Sequence, residues 1–113
     1  MFLRKALSPT EVVLEIHGPL SGETTAEFHR NLQEMASQSF ETVTLDLTDV
    51  ASINSSSLGK ILLFRKKLAE GGKTLRIRGC SESLYKTLQM IKFDKLIPIE
   101  RDSGGKAGAP AGP

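Results

Sequence analysis

The sequence predicts an α/β fold: a mixed β-sheet of about four to five strands with a parallel core, an antiparallel N-terminal edge, and helices packed against it. Three observations lead there. β-rich segments alternate with segments of helical periodicity, which calls for parallel neighbours joined by right-handed crossovers. The first two β-rich segments are separated only by Ser8-Pro9-Thr10-Glu11, a hairpin turn in which proline presets the turn φ. The chain has 113 residues, 39% of them hydrophobic, enough for one packed core and too few for a second sizeable domain.

Taken in order, Phe2 to Ser8 is the first strand. Val12-Val13-Leu14-Glu15-Ile16 is the second, stopped by Gly18-Pro19. A helix is predicted from about Thr24 to Ser37, with Thr24 and Glu27 at capping-box spacing and Phe28, Leu32, Met35 and Ala36 on one stripe. His29 lies beside that stripe. Thr42 to Leu47 alternates with period two, its apolar side being Val43, Leu45 and Leu47, and reads as a central strand; Asp46 to Asn54 is polar and turn-like.

A second helix is predicted from Ser55 to about Ala69, halted by Gly71-Gly72. On a helical wheel Leu58, Ile61, Leu62, Phe64 and Leu68 form its core stripe, and Ser56, Gly59, Lys60, Leu63 and Lys67 lie on the other side. Arg65 falls inside the stripe and has to carry its charge out to water. Thr74 to Arg78 is the next strand, closed by Gly79. Ser81 or Ser83 caps a third helix carrying Leu84, Leu88 and Ile91. Phe93, Leu96, Ile97 and Ile99 form a closing apolar segment, in which Pro98 restricts any strand to a sheet edge. The domain is expected over residues 1–101. Residues 102–113, rich in Gly, Ala and Pro with no large apolar side chain, read as a disordered tail.

Composition narrows the chemistry. Fifteen basic residues against 13 acidic ones give a net charge of +2, too mild to argue for nucleic acid. No apolar run is long enough to insert in a bilayer, and the N-terminus lacks a signal-peptide pattern, so a cytoplasmic protein is expected. Cys80, the only cysteine, reads as a packing residue at a strand end. There is no phosphate-binding glycine loop in strand–helix context, no metal-ligand cluster and no nucleophile–base pair; His17 and His29 have no obvious co-ligands, and Asp46 with Asp49 reads as strand-end loop chemistry. The expectation is a binding protein rather than an enzyme, with no cofactor.

What remains is Asn54-Ser55-Ser56-Ser57-Leu58-Gly59, following a central strand and opening a helix. That edge of an open α/β sheet is where partners dock. A helix N-terminus also presents unpaired amides and a positive dipole end, which accommodate a phosphate. The same residues also make an ordinary helix start, with Asn54 or Ser55 as N-cap. Gly59, costing about 1 kcal/mol relative to Ala on an outward helix face, points to close approach by a partner, and Leu63 one turn on adds an exposed apolar side chain.

The stretch from Leu45 to Gly59, reading L-D-L-T-D-V-A-S-I-N-S-S-S-L-G, resembles the signature of the STAS family in its anti-sigma-factor-antagonist form: a strand ending in D-[LFV]-[ST]-x-V, a short link, then D-S-S-G-L-G opening a helix. Gly18-Pro19-Leu20, Gly72-Lys73-Thr74-Leu75 and the segment from Ile91 to Ile99 resemble further family elements, so the likeness spans roughly residues 8 to 100. The resemblance implies binding to a serine-kinase anti-sigma factor with a histidine-kinase-like ATPase fold. It also implies phosphorylation by that kinase at the position of Ser55, with Ser56 and Ser57 as lesser candidates, and reversal by a PP2C-type phosphatase. Asn54, Ser56, Ser57, Gly59, Lys60 and Leu63 would form the partner-binding face. The chain departs from the pattern twice. Asn54 stands for the usual Asp, keeping the capping oxygen but losing the charge, and Ser57 stands for the usual Gly. A STAS subunit of a lipid-transport ABC system or of a multi-STAS signalling complex, never phosphorylated, is the alternative implication.

Overall fold

The computed structural model describes residues 2–20 and 22–101; the predicted tail lies outside them. Five strands form one sheet in the order β1-β2-β3-β4-β5: β1 (Phe2–Ser8), β2 (Glu11–His17), β3 (Thr42–Asp49), β4 (Thr74–Cys80) and β5 (Ile99–Arg101). The β1–β2 pair is antiparallel and every other pair is parallel. Between the parallel strands run α1 (Glu23–Ala36), α2 (Ser55–Glu70) and α3 (Glu82–Met90), the last followed by a 3₁₀ turn at Phe93–Lys95.

Strand alternation sorts the sheet into two faces. Val12, Leu14 and Ile16 of β2, Val43, Leu45 and Leu47 of β3, and Leu75 and Ile77 of β4 all join the core with α1 to α3. Helix α1 contributes Phe28, Leu32 and Met35, with Phe28 stacked on Phe2 of β1 at 6.0 Å between ring centroids. The opposite parity is mostly polar, with Val13 buried and Leu3 and Leu7 exposed on it, and carries the Lys5–Glu15 and Arg78–Asp46 ion pairs. Pro98 leaves β5 as a three-residue edge, as its missing N–H requires.

The strands run further than their hydrophobic pattern. β3 continues two residues past Leu47 to Asp49, which pairs with His17 after a register shift beyond the Glu15–Asp46 pair. β4 continues through Gly79, at φ 77°, to Cys80, which pairs with Arg101 after a register shift. The expected capping box of α1 does not form. The helix starts at Glu23 behind Gly22 (φ 58°), and the Thr24 hydroxyl instead donates to the Pro19 carbonyl. At its other end the Lys73 ammonium donates to the Ala36 and Gln38 carbonyls, charge placed where the helix dipole favours it. Ser81 is the cap of α3, accepting from the Leu84 amide at 3.2 Å; Ile91 ends outside that helix and exposed.

Helix α2 sits differently from its wheel. Ile61, Phe64 and Leu68 are buried, but Leu58 is half-buried and Leu62 exposed, while Ser57 is fully buried. The stripe is turned toward the N-terminal serines because α2 packs against α1 as well as against the sheet. Arg65 finds its place here: its Nε donates to the Leu96 carbonyl at 2.7 Å, pinning the closing segment to α2.

Candidate functional site at the start of helix α2

Two loops at the C-terminal edge of the sheet build the site. After β2, Gly18 at φ 104° turns the chain and its amide donates to the Asp49 carbonyl at 3.1 Å. The Leu20 amide then donates to the Ser52 carbonyl, and the Asn54 amide to the Leu20 carbonyl, each at 3.0 Å. Leu20, fully buried, thus forms a parallel bridge with Ile53 that prolongs the β2–β3 pairing beyond the strands. Where α2 begins is therefore set by the sheet.

Asn54 is the N-cap of α2, in extended backbone conformation, its Oδ1 accepting from the Ser57 amide at 2.8 Å. A cap of this kind is worth ~1 kcal/mol. The amide group works twice: Nδ2 donates to the Thr25 hydroxyl at 3.3 Å, and that hydroxyl lies 3.4 Å from the Ser57 hydroxyl. The starts of α1 and α2 are thereby tied by a small polar network under the surface. Asparagine suits the position because it both accepts and donates, which an ionised aspartate does not.

This network corrects one expectation. Ser57, 0% exposed, does not belong to the outward face; its hydroxyl points to Thr25 at a contact too close for a larger side chain. Ser55 and Ser56, the first two residues of the helix, are exposed, and no acidic residue occupies that first turn. Gly59 is exposed and a Cβ built on it would meet nothing within 4 Å. Lys60 is half-buried, and Leu63 is 64% exposed. Asn54, Ser55, Ser56, Gly59, Lys60 and Leu63 therefore lie together along one accessible side of α2.

Side chains from α1 complete this side, and the sequence reading did not include them. Thr25 and His29 join Asn54, Ser56 and Lys60 around an open cavity of about 470 Å³ at the head of the α1–α2 seam. Their four-residue spacing on a helix was a readable signal, but only the pairing of α1 with α2 shows that it faces the serines.

A second polar group lies behind the site at the ends of β2 and β3. His17 Nδ1 is 2.6 Å from an Asp49 carboxylate oxygen and its Nε2 is 3.4 Å from Glu15. The Asp49 hydrogen bond, with help from Glu15 and against some desolvation, raises the His17 pKa above its ordinary 6.5. Burial pushes the Asp46 carboxyl up, but hydrogen bonds from the Thr48 hydroxyl and amide and from Arg78 outweigh it and hold the group below its ordinary value. Cys80 is fully buried, and burial together with nearby Asp46 pushes its thiol up to about 12, so it is a packing residue rather than a nucleophile. Among the described residues no group of three or more His, Cys, Asp or Glu side chains is arranged to hold a metal ion, and no helix is long and apolar enough to cross a membrane.

Comparison with known proteins places this architecture. A family model described as STAS domain matches residues 4–105. The Thermotoga maritima protein TM1081 superposes with a TM-score of 0.80 at 24% identity, over 88% of this chain and 85% of that one. The anti-sigma factor antagonist SpoIIAA is similar in its unphosphorylated form (TM-score 0.71, 16% identity, 90% of this chain and 88% of that one). SpoIIAA from Bacillus in the phosphorylated form is similar too (0.70, 15%, 88% and 90%). A sulfate transporter family protein from Wolinella succinogenes matches with a TM-score of 0.70 at 18% identity, over 87% of this chain and 80% of that one. At these identities the likeness to solved structures is one of fold.

Proposed function

The chain belongs to the STAS domain family, and from that we propose that it is a partner-switching regulator of the anti-sigma-factor-antagonist kind, binding a serine-kinase anti-sigma factor through the outward side of α2. The observation that carries this reading is the position of Ser55. It is an exposed hydroxyl at the first residue of α2, beside the capping Asn54 and inside a face made of Ser56, Gly59, Lys60 and Leu63. Unmodified, that face is small, flat near Gly59 and free of acidic residues in its first turn.

A phosphate on Ser55 adds about −1.5 to −2 charge at the centre of the face. The helix itself tolerates it, since the modified residue sits at the positive end of the dipole. The partner does not, because the added charge and bulk occupy the surface it would cover. Reversal by a PP2C-type phosphatase would restore binding. Asn54 works in two directions. It removes the carboxylate that would repel a neighbouring phosphate, and it also removes a charge that would orient the serine hydroxyl for transfer.

The test is incubation of the chain with its serine-kinase partner and ATP, followed by peptide mapping by mass spectrometry. One phosphate on Ser55 is expected, with none on buried Ser57. Modification confined to Ser56 would contradict the assignment. No modification at all would favour a second reading, which the neutral Asn54 and the likeness to a sulfate transporter family protein support: an unphosphorylated interaction subunit of a lipid-transport ABC system or a multi-STAS complex, using the same face.

A further inference from the structure

The seam between α1 and α2 continues past the serines. Below the cavity at the helix start lies a second one of about 150 Å³, and His29 and Lys60 line both, so the two are one groove. Its lower part is floored by Leu32, Ala36 and Phe64 and flanked by exposed Leu63. Its rim carries Lys60 and Lys67, seven residues and two helical turns apart on α2, about 10 Å along the axis. Among the described residues no carboxylate lines either cavity. Helix α2 carries no acidic residue until Glu70, its last, so nothing on the helix neutralises the two lysines from within the groove. His29, in the wall common to both parts, has its Nδ1 buried with no hydrogen-bond partner. An apolar floor between two cations is complementary to one kind of surface.

We infer that this groove receives an amphipathic helical segment of a partner protein. An apolar side chain of that segment enters between Leu63 and Phe64, and two carboxylates spaced two helical turns apart pair with Lys60 and Lys67. The inference rests on the partner-binding reading of the α2 face and adds the chemistry of the partner: acidic and apolar, seated along the seam rather than on the serines alone. Recognition by helix-in-groove packing gives the affinity, and the paired charges fix register and direction.

The test uses the full chain, isotopically labelled, and a synthetic helical peptide carrying one leucine between two glutamates spaced seven residues apart. The expected result is a set of amide shifts confined to the groove, centred on His29, Gln33, Lys60, Leu63 and Lys67. The glutamine version of the peptide should bind roughly tenfold more weakly, and so should the K60Q/K67Q double variant, with unchanged thermal unfolding. Salt should weaken the wild-type complex. Shifts elsewhere, or equal binding by the glutamine peptide or by the double variant, would overturn the inference. So would lysine-dependent binding to phosphatidylserine vesicles without any peptide binding, which would mark the groove rim as a lipid-facing surface. Peptide binding does not depend on Ser55. Loss of peptide binding with an intact Ser55 switch overturns the groove assignment alone, and groove binding by a chain whose kinase ignores Ser55 upholds it while removing the switch.

Discussion

Asn54 and Gly59 show how single residues shape the site. The Asn54 side chain holds two partners at once, accepting from the Ser57 amide and donating to the Thr25 hydroxyl, and so ties α1 to α2 under the exposed serines. Gly59 does nothing of the kind. An added methyl there would point into open space, so Gly59→Ala should raise stability by up to about 1 kcal/mol through helix propensity, read from chemical denaturation. The same variant should weaken binding of the kinase partner, since its only new contact is with whatever lies on that face. A variant that is more stable and binds as before would remove Gly59 from the interface. The cap and exposed Leu63 were legible in the sequence because they follow from local rules, capping preference and helix periodicity. Ser57 was not. Its burial depends on how closely α1 approaches, which no local pattern encodes, and the serine run hides the one member that faces inward.

At the scale of elements, β-rich composition, a hairpin turn and, at β3, hydrophobic alternation located the first four strands, and pairing decided where each ended. β3 and β4 outrun their apolar patterns because pairing resumes after a register shift: Asp49 pairs with His17, and Cys80, itself buried, pairs with Arg101. The failed capping box at Thr24 has the same lesson in reverse: the spacing was present, but Gly22 at φ 58° starts the helix one residue early and Thr24 turns back to Pro19. Gly79 is where two elements meet most tightly. A Cβ there would lie 2.2 Å from the Thr48 hydroxyl oxygen and 3.0 Å from an Asp46 oxygen, on a backbone at φ 77°. Gly79→Ala should therefore destabilise the fold by about 2 kcal/mol or more, measured by denaturant unfolding, in contrast to the gain at Gly59. Arg65 is the other element-scale finding. A charge inside a core stripe had no explanation in the sequence, because its partner, the Leu96 carbonyl, lies thirty-one residues away.

Across the whole molecule, charge is divided between two surfaces. The helical side presents the lysines of α2 near the serines; the far side of the sheet carries paired charges, Lys5 with Glu15 and Arg78 with Asp46. His17 joins the ends of β2 and β3 through Asp49, with Glu15 also beside it. Because its folded pKa is raised, its contribution to stability is fully present below pH 6.5, the ordinary value, and is lost as pH rises through the higher folded value. Thermal unfolding across that interval should show a decline that H17Q lacks. Equal pH dependence in both proteins would contradict the His17–Asp49 interaction as a contributor.

The central claim is that charge at Ser55 decides whether the α2 face binds its partner, and it is tested most directly by titrating the serine-kinase anti-sigma factor into wild type, Ser55→Ala and Ser55→Asp by calorimetry. Wild-type-like affinity for Ser55→Ala and a loss of about tenfold or more for Ser55→Asp, with circular dichroism and melting temperature preserved in both, is the expected result. Equal affinity across the three proteins would contradict it.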